Sequence, residues 1–276
     1  MNRPVLTTAV TLALVFAGAL APTPAAADPK VHRSPDDLAR IVKKADPGTR
    51  TLGRVSASQG TVRASGVEVA VAARGEVATA GDDTVMAGDG VDYVSRAVDG
   101  GFQVAAVIGD ATASVQKYRF KGKYLELTDS GAVVVRTGGR TGEPVAIVDP
   151  AWAVDAHGAK VASHFTVDGD VLTQTSDIDR ATAFPVVADP RVRWPWYGIS
   201  VDFTRSETHT LGFVAGGCAT LAALIPHPAA RAAFAVACGA MALLARTAED
   251  NGKCVSVKFI AAAQFAAVPW IAKCYK

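Results

Sequence analysis

The sequence predicts an α+β chain: an N-terminal antiparallel β-sandwich, then a small C-terminal helical hairpin stapled by disulfides and flanked by strands. Three observations lead there. Residues 52–187 consist of short runs that alternate apolar and polar side chains and are cut by glycine and aspartate, the pattern of half-buried strands joined by tight turns. Residues 204–245 change to alanine- and glycine-rich stretches on either side of Pro226-His227-Pro228, which reads as two antiparallel helices and a turn. The four cysteines fall as Cys218 with Cys238 and Cys254 with Cys274, each pair 20 residues apart.

Arg3, an uncharged apolar run over 5–20 and the small residues Ala25-Ala26-Ala27 make the three parts of a secretory signal peptide, with cleavage expected after Ala27. Residues 28–51 form a charged lead-in with one short helix. Ser34 caps it, Pro35 takes its first position, and Leu38, Ile41 and Val42 share a face; Asp46-Pro47-Gly48 ends it. The β-sandwich domain is placed at 52–190. Val67-Glu68-Val69-Ala70-Val71, Tyr118-Arg119-Phe120 and Tyr124-Leu125-Glu126-Leu127 are strands by alternation, and Lys121-Gly122 and Asp168-Gly169 are hairpin signals. Many short strands with no helices between them imply antiparallel pairing.

The C-terminal helical hairpin domain spans 191–276. Residues 194–203 alternate as a strand. Thr204-Arg205-Ser206-Glu207 is a capping box, so a helix begins there; it is expected to run to Ile225. The second helix starts at Pro228 and ends near Asn251-Gly252. Residues 254–260 read as another strand, with 270–275 returning beside it. Gly212, Gly216, Gly217 and Gly239 give the small-residue spacing that lets two helices approach closely.

Export to an oxidising space makes disulfides the reading for four cysteines, with three pairings open. The midpoint of 218 and 238 lies in the turn, so on antiparallel helices both residues stand about 15 Å from it, at one height. That register favours Cys218–Cys238, and with it Cys254–Cys274. Zinc is disfavoured, because C-x-x-C spacing is missing and no His pair lies near.

Two stretches resemble known families. Pro150-Ala151-Trp152-Ala153-Val154-Asp155-Ala156-His157-Gly158, with the closing Phe184-Pro185-Val186-Val187-Ala188-Asp189-Pro190, resembles a segment of large secreted actinobacterial proteins and the β-rich modules beside RHS-type repeats. Those end in "YPVxxDP", and Phe184 stands here for the tyrosine. Pro185 is expected to start an edge strand and Asp189-Pro190 to stop it. The "WYGIxVxF" strand at 196–203, the "RSET" helix start at 205–208 and the Cys-bearing hairpin are similar to the C-terminal domain of a family of secreted actinobacterial proteins of unknown function. The resemblance covers about residues 115–276. It implies this architecture and paired cysteines, and no catalytic residues.

Charge is split along the chain. Residues 28–190 hold 18 Lys and Arg against 22 Asp and Glu, and residues 191–276 hold 9 against 4. The two parts are complementary, as docking partners would be. Trp194, Trp196, Tyr197 and Trp270, with Tyr275 and the cations Arg191, Arg193, Lys258, Lys273 and Lys276, make a candidate surface-binding belt for an anionic envelope. His157 and His164 near Asp155, Asp168 and Asp170, and Asp82, Asp83, Asp89 and Asp92, are polar for turn-forming reasons first; no EF-hand spacing appears. G-x-S-x-G, H-E-x-x-H, P-loop and dinucleotide fingerprints are missing from the sequence, so no catalytic, cofactor-binding or metal residue is assigned. Nucleic-acid binding has no support beyond mild C-terminal basicity.

The functional expectation is a secreted, non-enzymatic protein that binds a protein partner or a surface at the cell envelope through its C-terminal domain. The second expectation is a membrane-active, bacteriocin-like protein. Its uncharged stretches of 15 residues (211–225) and 14 residues (232–245) fall short of the roughly 20 needed to span a bilayer.

Overall fold

Ser34 caps the first helix of the computed structural model, which describes residues 33–194, 200–225, 228–260 and 266–274. The signal-peptide expectation, on residues 1–27, lies outside the described residues. Helix α1 (Pro35–Ala45) has the expected cap, with the Ser34 side chain accepting from the Asp37 N–H, and ends at Asp46. Leu38 and Val42 are its buried face.

The β part holds two antiparallel sheets that contribute to one core. Tyr93, Phe102, Val104, Ile108, Val133 and Val186 of the twelve-stranded sheet pack with Val69, Tyr118, Phe120 and Leu172 of the six-stranded one. Strand Gly101–Ile108 is the axis of the larger sheet. One edge pairs along its full length with Val91–Val98. Its other edge takes Val186–Asp189 beside Ala106 to Ile108, then Arg191–Arg193 beside Gly101 to Gln103. Pro190 sits between them without an N–H, and its carbonyl accepts from the Val104 N–H at 3.2 Å. Proline therefore divides this strand rather than ending it, and the sheet continues past residue 190. Val186–Asp189 is also interior, between Gly101–Ile108 and Trp152–Val154, not at the edge that Pro185 suggested. Pro185 itself stands just outside the ladder.

Asp168-Gly169 does lie in a hairpin, where strands Ser163–Asp168 and Val171–Ser176 pair from Asp168↔Val171 onward. Lys121-Gly122 does not. Val115–Phe120 belongs to the six-stranded sheet and Lys123–Leu127 to the twelve-stranded one, so this turn carries the chain from one sheet to the other.

The outer face of the large sheet is covered twice. Leu38 and Val42 of α1 cover Val85, Val94, Ala105, Val107 and Val187. Farther along, Ala132, Val134 and Ile147 are covered by Val268 of the C-terminal part.

The C-terminal part is three helices on a three-stranded antiparallel sheet of Ser200–Asp202, Cys254–Ile260 and Ala266–Ala272. The return strand thus starts at residue 266 rather than 270. The Thr204–Glu207 capping box forms in both directions. The single helix expected over 204–225 is two, α2 (Arg205–Phe213) and α3 (Gly217–Ala223). The break is at Gly216, whose φ of 76° is left-handed, and at Gly217, where a Cβ would stand 2.1 Å from the Thr210 carbonyl oxygen. Only glycine fits both demands. Helix α4 (Pro228–Asp250) follows. Phe234 is its main anchor, with ring centroids 5.8 Å from Phe203 and 6.3 Å from Phe259. The close helix approach uses Gly212, whose Cβ would lie 3.3 Å from the Ala245 Cβ; Gly239 faces open space.

Candidate functional site

The apolar residues of α4 divide cleanly between two faces. Ala230, Phe234, Met241, Ala245 and Ala248 are buried at helical spacing against the three-stranded sheet. On the far side Val236 is 89% exposed and Leu243 70% exposed, with Ala232, Ala235, Gly239 and Ala240 exposed around them. Leu224 at the end of α3 is also 70% exposed, and Phe213 and Val214 about half. Single exposed aliphatics are ordinary; an uncharged helical stripe of them marks a contact surface.

Cations border this stripe and are fixed in place. Arg246 donates from Nε to the Gly212 carbonyl at 2.8 Å, and its guanidinium lies 5.5 Å from the Phe213 ring centroid. Arg231 donates twice to the Ile225 carbonyl, at 3.1 and 2.9 Å. Each guanidinium satisfies a carbonyl at or just beyond a helix C-terminus, where a cation is favoured. His209 stacks on Phe213 at 5.0 Å and meets Glu249 at 3.1 Å.

The cysteines pair as the register favoured. Cys218–Cys238 ties α3 to α4 with Cα atoms 5.8 Å apart, and Cys254–Cys274 ties the central strand of the small sheet to the chain end at 4.7 Å. Among the described residues no cysteine is free. Two such bonds fit an oxidising, extracellular setting.

The aromatic belt is not assembled as expected. Trp194 packs 5.6 Å from Phe102 at the β core. Trp270 is buried, with the Lys258 ammonium 5.2 Å above its ring. Trp196, Tyr197, Tyr275 and Lys276 lie outside the described residues. The partial burial of Trp194 and the burial of Trp270 have a simple cause: each sits on or beside a strand whose inward face is the core, and a large ring gains most there.

Around His157, Asp155 accepts from the His157 and Ala159 N–H groups at 2.9 and 2.8 Å, a turn-holding role. Asp83 pairs with buried Arg96 and Asp89 with Arg74. Among the described residues no three His, Cys, Asp or Glu side chains converge as metal ligands.

No family model, curated protein or solved structure matches this chain. The site therefore rests on geometry alone. Sequence reasoning missed the exposed stripe, although Val236 and Leu243 are seven residues apart among alanines, two helical turns on one face. It also missed Arg136, a lone charge following Val133-Val134-Val135. Arg136 is buried, with Glu126 at 2.9 Å, and donates to the Gly142 carbonyl at 3.1 Å and the Pro269 carbonyl at 2.9 Å. A single charge closing an apolar strand signals a buried partner.

Proposed function

We propose that this is a secreted, non-enzymatic protein, cleaved after Ala27, that attaches at the cell envelope to an anionic lipid surface through the α3–α4 face. The β part, read as a β-sandwich, is the carrier of that C-terminal unit. The observation that carries the reading is the uncharged stripe of α4, which no described residue covers and which Arg231 and Arg246 border. Burying such a stripe at a headgroup boundary is favoured by apolar area, and the excess of basic residues after 190 adds attraction to anionic lipid.

The second reading, insertion of the hairpin across a bilayer, draws on α4 itself. Its 23 residues are long and apolar enough to cross a membrane, and only 22% of its most apolar window is buried. Surface attachment is the better reading because it keeps Phe234 and Met241 in their core, whereas insertion must pull them out. The test is co-sedimentation of the oxidised chain from Asp28 onward with vesicles of equal parts phosphatidylglycerol and phosphatidylcholine. Binding that is lost on Leu224→Ser with Val236→Ser, without release of an entrapped dye, is the expected result. No binding by the wild type would sink the proposal, and dye release would favour insertion.

A further inference from the structure

Between the β part and the C-terminal part lies a groove of about 440 Å³. That is within the roughly 300–1,000 Å³ typical of small-ligand sites, which concentrate at seams between units. One wall comes from the large sheet and its loop: Glu126, Val134, Arg136 and Arg140. The opposite wall is aliphatic, from Ala240, Leu243 and Leu244 of α4 and Val268 of the last strand.

The charge at this groove is unbalanced in one direction. Glu126 is held by Arg136 at 2.9 Å, and nearby Glu143 by Lys258 at 2.9 Å. Arg140 lines the groove and is exposed. Among the described residues it has neither an ion pair nor a hydrogen bond. An aliphatic trough with one uncompensated guanidinium selects an occupant that is apolar along its length and anionic at one end. A carboxylate also matches the planar fork of arginine.

We infer that this groove binds an anionic single-chain amphiphile, a fatty-acid carboxylate, with its head on Arg140 and its chain along Leu243, Leu244 and Val268. This goes beyond surface attachment: Ala240 and Leu243 belong to both the stripe and the groove, but Leu224 and Val236, the positions replaced in the vesicle test, do not line the groove, so the two claims are tested by different variants.

The experiment is calorimetric titration of the oxidised chain from Asp28 onward with laurate below its micelle-forming concentration, alongside dodecyltrimethylammonium. Saturable one-to-one binding of laurate is expected, at least tenfold weaker for Arg140→Gln and lost in Ala240→Trp, which fills the groove from an exposed helix position. The ammonium is expected not to bind. Laurate that never saturates, an Arg140→Gln protein that binds it as tightly as the wild type, or equal binding of the ammonium overturns the inference. Vesicle co-sedimentation of the same samples separates the two claims. A wild-type protein that binds vesicles but not laurate removes only the groove, and one that binds laurate but not vesicles removes only surface attachment.

Discussion

The guanidinium of Arg136, on the large sheet, donates to the carbonyl oxygen of Pro269, on the last strand, at 2.9 Å, across 133 residues of sequence. The same side chain holds Glu126, so one buried cation fastens the two parts of the molecule. The Ile271 N–H donates to the Thr141 carbonyl at 2.9 Å beside it, and Lys258 reaches Glu143. The seam is thus held by directed polar bonds around a small apolar contact, Val134 and Ile147 against Val268.

Replacing this cation leaves the Pro269 carbonyl and a partly buried Glu126 without their partner. Arg136→Met is expected to destabilise by about 3 kcal/mol, in the range for removing one member of a buried pair. Urea unfolding followed by fluorescence is expected to shift to a lower midpoint and to split into two transitions, because the parts no longer unfold together. A single transition at the wild-type midpoint would remove Arg136 from this role.

The Cys218–Cys238 bond joins α3 to α4 across a sequence separation of 20 residues. In the chain-entropy account a loop of this size contributes about 3 kcal/mol. Cys218→Ser with Cys238→Ser is expected to lower stability by that order and, because the two parts unfold together, to lower hydrogen-exchange protection in the strand Gly101–Ile108 by the same amount. Unchanged protection in Gly101–Ile108 would mean that the two parts unfold separately and that the bond stabilises only the C-terminal one.

Local signals of this kind were legible in the sequence, and long-range ones were not. The Ser34 side chain satisfies the Asp37 N–H, Pro35 brings no N–H to satisfy, and Thr204 and Glu207 accept from each other's N–H within one turn, so a few residues decide the outcome. The Cys218–Cys238 register follows from helix geometry and one turn. Lys121-Gly122 misled because a turn fixes a reversal and not the partner: Phe120 goes on to the six-stranded sheet and Lys123 to the other. Gly216-Gly217 was counted toward helix packing, although a left-handed residue against the Thr210 carbonyl interrupts the helix. The groove was invisible, since Arg140 and Leu243 come to line one groove only once the two parts dock.

Asp189 gives a pH dependence with a definite sign. It is fully buried, its Oδ2 accepts from the Gln103 amide at 2.6 Å, and Arg191 stands 4.0 Å away. Burial pushes its carboxyl up to about 6, against the pull of Gln103 and Arg191 and with the help of Asp46. A carboxyl raised above its unfolded value near 4 is a stability cost that is missing below that value, grows as pH rises to about 6 and is constant above. Asp189→Asn is therefore expected to lose less stability than the wild type between pH 4 and 6. The difference, on the order of 3 kcal/mol, is read from urea midpoints at each pH. Parallel curves for the two proteins would contradict the assignment. Burial also raises Asp83 and Asp149, in the same direction, so the comparison with Asp189→Asn, not the wild-type curve alone, isolates this group.

The two faces of α4 predict opposite consequences for residues two positions apart. Phe234 is fully buried between Phe203 and Phe259, and Phe234→Ala removes a large ring from a packed core, at about 3–5 kcal/mol. Val236 lies 89% exposed on the other face. Val236→Ser is expected to change stability by less than about 0.5 kcal/mol, yet together with Leu224→Ser to abolish sedimentation with anionic vesicles. Thermal melting and vesicle binding of the three proteins provide the comparison. If Val236→Ser melts as low as Phe234→Ala, the stripe is core and the attachment surface lies elsewhere. If it melts as the wild type but the double variant still binds vesicles, the stripe is surface without being the contact. Retained stability with lost binding separates the face that builds the unit from the face that works.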